Sequence, residues 1–115
     1  MDSVKIFWLD REKSREEIKK RAQKLVSERP EVKKIFLFGS LADNKAVPGS
    51  DADLLIILKD HPQLPSRLWD RIQEYEGYFE NLGLPVDLFC YTEEEVQRIP
   101  LAREAIRKGL LLAKR

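Results

Sequence analysis

Three aspartates and one glycine–serine pair are the residues of this chain whose types and spacing can do chemistry. Gly39-Ser40 closes an apolar run, and Asp51-Ala52-Asp53 follows after the 10 residues 41–50. Asp87 stands further on, between Val86 and Leu88. Residues two apart in an extended chain point to the same side, so the carboxylates of Asp51 and Asp53 can converge on one point. Two carboxylates on one face repel each other unless a cation lies between them. Oxygen ligands of this kind suit Mg²⁺, which commonly binds one or two carboxylates together with substrate phosphates. An ionised Asp87 on an apolar strand needs a partner or water. If its strand lies beside that of Asp53, three carboxylates surround one pocket. Two metal ions held there would bridge the attacking and leaving oxygens of an in-line displacement at phosphorus. Gly39 would let a phosphate approach the backbone closely, with free N–H groups at a helix start, and Ser40 would add a hydroxyl donor. Taken singly, each feature has a plainer reading: a turn at Gly39-Ser40 or at Ser50-Asp51, and outward-pointing strand ends at Asp53 and Asp87.

The elements that must position these residues are legible as alternating patterns. Ile35-Phe36-Leu37-Phe38, Leu54-Leu55-Ile56-Ile57-Leu58 and Val86-Asp87-Leu88-Phe89-Cys90-Tyr91 read as strands, with Val4 to Leu9 and Leu110-Leu111-Leu112 as shorter ones. Ser14 and Glu17 have capping-box spacing and predict a helix start. Ile18, Ala22, Leu25 and Val26 give that helix one apolar stripe, and Pro30 stops it. Leu64, Leu68, Ile72, Tyr75, Phe79 and Leu82 predict a long second helix ended by Gly83 in a left-handed turn. Thr92 and Glu95 repeat the capping box, ahead of a helix interrupted near Pro100 and running towards Gly109. The alternation predicts an α/β (α+β) domain spanning 1–115, a small mixed β-sheet with helices packed on it.

Composition narrows the class of partner. The chain has 115 residues, 21 basic and 20 acidic. Nucleic-acid binders usually carry a basic excess, so polynucleotide partners are disfavoured. No apolar stretch approaches the roughly 18 residues of a membrane span, and residues 1–5 lack the start of a signal peptide. The single cysteine, Cys90, fits a reducing compartment, and the expectation is a cytoplasmic protein. Cys90 itself reads as a small buried hydrophobe. His61 reads as a solvated loop residue, and Glu93-Glu94-Glu95 as an acidic first turn of a helix.

Gly39-Ser40, the ten-residue gap, Asp51-Ala52-Asp53 and the later Asp87 together resemble the signature of the polymerase-β-type nucleotidyltransferase superfamily. The likeness extends over nearly the whole chain, including residues 105–112, and is strongest to the stand-alone minimal nucleotidyltransferases, antitoxins paired with a helical HEPN toxin. It implies a nucleotidyltransferase fold, two Mg²⁺ ions on Asp51, Asp53 and Asp87, and ATP as substrate. Gly39, Ser40 and Ser50 become the candidate nucleotide-binding residues. Asp87 would also help deprotonate an acceptor hydroxyl, to which AMP is transferred as pyrophosphate leaves. Relatives acting on small molecules or RNA carry extra domains, which 115 residues do not accommodate. The resemblance therefore favours a protein acceptor, a tyrosine of a cognate HEPN toxin. Where the family usually has Arg-Gly, this chain has Asp43-Asn44, which removes a cation near the phosphates. Two rival readings stand beside this one. The chain could neutralise a toxin by binding alone, through Phe7-Trp8-Leu9 or through Trp69, Tyr75 and Tyr78, although most of these aromatics read as core. Or it could modify a small molecule, with a partner chain or a homo-oligomer supplying the cleft.

Overall fold

The structure, a computed structural model, describes residues 11–39, 42 and 52–115. Helix α1 (Arg11–Glu28) leads into strand β1 (Val32–Phe38), and β2 (Ala52–Leu58) follows. Helix α2 (Leu68–Tyr75) runs on into a 3₁₀ turn, Glu76–Phe79, before β3 (Val86–Thr92). A second 3₁₀ turn, Glu95–Gln97, precedes α3 (Pro100–Lys108) and β4 (Leu110–Lys114). The predicted strand over Val4 to Leu9 lies outside the described residues.

Among the described residues, four strands form one mixed sheet in the order β3-β2-β1-β4. β1 is antiparallel to both β2 and β4, and β2 is parallel to β3. This is the mixed sheet with packed helices that the alternation predicts. Side-chain alternation assigns each strand residue to a face. Ile35, Leu37, Leu54, Ile56, Leu88 and Cys90 meet Ile18, Ala22 and Leu25 of α1 and Tyr75 of α2 in one core. Phe36, Leu55 and Ile57 meet Ala102 and Ala105 of α3 in a second core on the opposite face. β2, covered on both sides, is fully or almost fully buried from Leu54 to Leu58. This accounts for its uninterrupted apolar sequence.

Three helix boundaries differ from the sequence pattern, each for a local reason. α1 already begins at Arg11, so Ser14 and Glu17 stand inside it, and Glu17 pairs with Arg21 at 3.1 Å rather than capping. The predicted 64–82 helix is α-helical only over Leu68–Tyr75. Pro62 and Pro65 hold the preceding segment out of helix, and Gly77 falls in the tighter 3₁₀ turn that follows. The pattern still names the packed side: Tyr75 and Phe79 are buried and Leu64, Ile72 and Leu82 pack on the core, whereas Leu68 stays exposed. Gly83 does take a left-handed backbone, φ 78°, but in the loop before β3, close to Asn81 at φ 60°.

The second capping box forms as expected. Thr92 N–H donates to Glu95 Oε1 at 2.9 Å, and Glu95 N–H donates to Thr92 Oγ1 at 3.1 Å. It opens the 3₁₀ turn, while Pro100 occupies the first turn of α3, where its missing N–H costs nothing. Glu95 also receives Arg71, whose Nη1 and Nη2 lie 2.6 and 3.3 Å from its two oxygens. Arg71 further donates to the Pro65 and Cys90 carbonyls at 2.7 and 3.2 Å.

Cys90 is 1% exposed, and burial pushes its thiol up to about 12. Since only the thiolate reacts readily, native protein at pH 8 is expected to resist iodoacetamide, with one equivalent incorporated once denaturant opens the core. Labelling of the native protein at the rate of a free thiol would show that this core opens.

Candidate functional site

The site forms where three strand ends meet. β1 ends at Phe38, and Gly39 then turns with φ 82°. Such a backbone is strained for any side chain, and one here would also have to displace the Asp53 carboxylate. A Cβ at Gly39 would lie 2.5 Å from Asp53 Oδ2. The turn therefore packs directly against the Asp53 carboxylate.

Strand register does the rest. Phe38 is paired with Asp53 across the antiparallel β1–β2 ladder, and Asp53 with Asp87 across the parallel β2–β3 ladder. Paired residues project from the same face, and neighbouring strands run about 4.8 Å apart. Asp53 shares its parity with Leu55 and Ile57 of the second core, and Asp87 with Phe89 and Tyr91, which pack against that core. Both carboxylates thus stand on the α3 face of the sheet, at the edge of its apolar floor. Asp53 is half-buried and Asp87 exposed.

Two hard oxygen donors on adjacent strands, beside a left-handed turn that favours glycine, fit a divalent cation carrying phosphate. Among the described residues they are not joined by a third His, Cys, Asp or Glu in a metal-holding cluster. Asp51, Ser40 and Ser50 lie outside the described residues. Of the predicted site residues, the structure brings together Gly39, Asp53 and Asp87.

Among the described residues, a cleft of about 310 Å³ lies on the sheet face beside this site, lined by Phe38, Gly39, Leu101, Glu104, Ala105 and Lys108. Phe38 also packs against Phe89, ring centroids 5.5 Å apart, at the base of the same face. The α3 wall of this cleft escaped the sequence reading. Its signal was the spacing of Leu101, Glu104, Ala105 and Lys108, which share one side of a helix just ahead of Gly109. Gly109 sets that wall in place: a Cβ there would lie 2.7 Å from the Leu37 carbonyl and 2.4 Å from that of Ala105.

The residues read as inert behave largely so. Cys90 is core, and Glu95 serves the capping box and Arg71. His61 is half-buried in the loop before α2 rather than fully solvated. Of the aromatics proposed as a binding surface, Tyr75 is buried and donates to Glu31 at 2.8 Å, whereas Trp69 is 60% exposed. Phe7-Trp8-Leu9 lies outside the described residues. No helix among the described residues is long and apolar enough to cross a membrane.

Comparison with known proteins identifies the family and the fold. The model of the nucleotidyltransferase domain family matches residues 15–112, and the chain belongs to that family. Among solved structures, a candidate nucleotidyltransferase from Sulfolobus solfataricus superposes with a TM-score of 0.68 at 21% identity, covering 91% of this chain and 84% of its own. A toxin–antitoxin structure with AMP-PNP contains a chain that superposes with a TM-score of 0.56, also at 21% identity, covering 88% and 73%. At this identity the likeness is one of fold. No curated protein matches the chain in sequence.

Proposed function

We propose that this chain is a metal-dependent nucleotidyltransferase that transfers AMP from ATP to a hydroxyl, the acceptor being a tyrosine of a cognate HEPN-type toxin that the transfer silences. The observation that carries the reading is the placement of Gly39, Asp53 and Asp87 on one sheet face at one edge, with Asp53 against the Gly39 turn. Asp51, two residues before Asp53, completes the carboxylate set in this reading. Mg²⁺ bound by Asp51, Asp53 and Asp87 would neutralise triphosphate charge and polarise the reacting oxygens. The Gly39 turn, with Ser40 and Ser50, orients the triphosphate. The acceptor oxygen forms a bond to the α-phosphorus, the bond from that phosphorus to the bridging oxygen breaks, and pyrophosphate leaves. The hydroxyl proton passes to the Asp87 carboxylate. No covalent enzyme intermediate is needed, so alignment and electrostatics supply the rate. The toxin–antitoxin neighbour with AMP-PNP supports both a nucleotide and a toxin as partners.

A second reading, an antitoxin acting by binding alone, is favoured by the apolar exposure of Leu101, Ile106, Leu110 and Leu111 on α3 and β4. One experiment separates the two. The chain is incubated with Mg²⁺ and α-labelled ATP, with and without its toxin, beside an Asp51→Asn/Asp53→Asn control. Label on a toxin tyrosine at substoichiometric enzyme, absent with the control, is the expected result. Silencing at a one-to-one ratio with no label transferred would overturn the catalytic reading.

A further inference from the structure

We propose that Lys108 is a polyphosphate-binding residue of this site, its ammonium passing from Glu104 to the terminal phosphates of the triphosphate held at Gly39. The inference rests on the nucleotidyltransferase reading and names a residue that neither the motif nor the family match singles out.

Charge is the first reason. Residues 39–53 contain one cation, Lys45, against Asp43, Asp51 and Asp53. Mg²⁺ on the carboxylates would offset part of the charge of a ligand bearing three or four negative charges. A segment with that balance adds little cation of its own, so a further cation on another element would strengthen binding. Among the described residues, Lys108 is the cation that lines the cleft together with Gly39.

Position is the second. Gly109, the next residue, is wedged against the Leu37 carbonyl at the end of β1, and α3 ends against that contact. The Lys108 backbone is therefore tied to the strand that delivers Gly39. From there a flexible four-carbon stem can carry the ammonium across the cleft.

The third reason is that the present partner of Lys108 can release it at little cost. Lys108 Nζ lies 2.9 Å from Glu104 Oε1, but the two side chains are 65% and 50% exposed. Pairs this wet contribute little. Arg107 holds the same carboxylate through Nη2 at 2.7 Å, so Glu104 keeps a partner when Lys108 leaves. A triphosphate offers the ammonium more negative charge than one shared carboxylate.

The test is calorimetric titration, in Mg²⁺ buffer, of wild type, Lys108→Ala and Lys108→Arg with three probes: AMP-PNP, inorganic tripolyphosphate and AMP. Thermal melts establish that each variant is folded. Lys108→Ala is expected to weaken AMP-PNP and tripolyphosphate about tenfold and to leave AMP unchanged, with Lys108→Arg recovering most of the loss. A lysine serving only to finish α3 would move none of these numbers. Unchanged tripolyphosphate affinity in folded Lys108→Ala overturns the assignment, as does an equal loss for AMP. If wild type binds neither AMP-PNP nor tripolyphosphate, the nucleotidyltransferase reading fails with it. Tight binding by wild type and Lys108→Ala alike sinks the lysine alone.

Discussion

Replacing Asp87 with Asn is expected to lower nucleotide transfer on the order of a thousandfold while leaving the melting temperature nearly unchanged. The substitution keeps the shape of the side chain and removes its charge. Asp87 is exposed at the start of β3, where a polar replacement costs little stability. The chemistry is another matter in the proposed mechanism. Asp87 is paired in register with Asp53; the two carboxylates together would bind the cation, and Asp87 would receive the acceptor proton. Asn can still offer one neutral oxygen, so residual activity should respond to raised Mg²⁺ concentration. Initial rates of label transfer across a Mg²⁺ series measure this directly. Wild-type rates at every Mg²⁺ concentration would remove Asp87 from the mechanism. A similar loss is expected for Asp53→Asn, though its contact with the Gly39 turn makes that variant a less clean probe.

The largest effect on stability is expected at Arg71, far from the chemistry. Its guanidinium is 5% exposed and makes bonds to the Pro65 and Cys90 carbonyls and to both oxygens of Glu95. Arg71→Met preserves much of the packing of the stem but leaves two carbonyls and a carboxylate short of donors. Breaking a buried pair by removing one partner commonly costs about 3–5 kcal/mol. The lower end applies here, because the Glu95 side chain is 26% exposed and keeps its bond from Thr92 N–H. A fall in melting temperature of about 10 °C or more follows.

The same pair sets a pH signature. Arg71 hydrogen bonding, ahead of the opposing effect of burial, holds the Glu95 carboxyl below the usual carboxylate range. A group lowered in the folded state contributes fully above its unfolded pKa and loses that contribution as pH falls through the folded value. The wild-type protein should therefore lose stability below about pH 4.5, the ordinary glutamate value, and Arg71→Met should lose less over the same interval. Denaturant melts of both proteins from pH 7 to pH 3 give the comparison. Parallel curves would mean that Glu95 and Arg71 are not coupled.

How much was legible in the sequence follows from where each signal resides. Strand identity was strong because Leu54-Leu55-Ile56-Ile57-Leu58 is apolar throughout, as only a strand covered on both sides can be. The candidate acids stood out because Asp53 opens an apolar run and Asp87 interrupts one, where an acid requires a reason. Helix limits were harder to read. The apolar spacing from Leu64 to Leu82 reports which side faces the core, and a 3₁₀ turn or a loop can satisfy that requirement as well as a helix. The cleft wall was hidden for a different reason. Leu101, Glu104 and Lys108 look like an ordinary helix surface until Gly109 fixes that surface beside Gly39. Arg71 is a similar case, since one more arginine among 21 basic residues carries no mark of burial.

The double covering of β2 has a consequence for how the chain tolerates change. A strand that is apolar on both sides tells neither face from the other, so hydrophobicity alone would accept a slip of one residue. The break in that degeneracy comes at Asp53, which would meet the packed α1 side if the strand shifted. The carboxylate thus doubles as an alignment mark for the strand that carries it. Losing one residue within 54–58 would leave a chain still rich enough in apolar side chains to collapse, yet with its acid facing the wrong way.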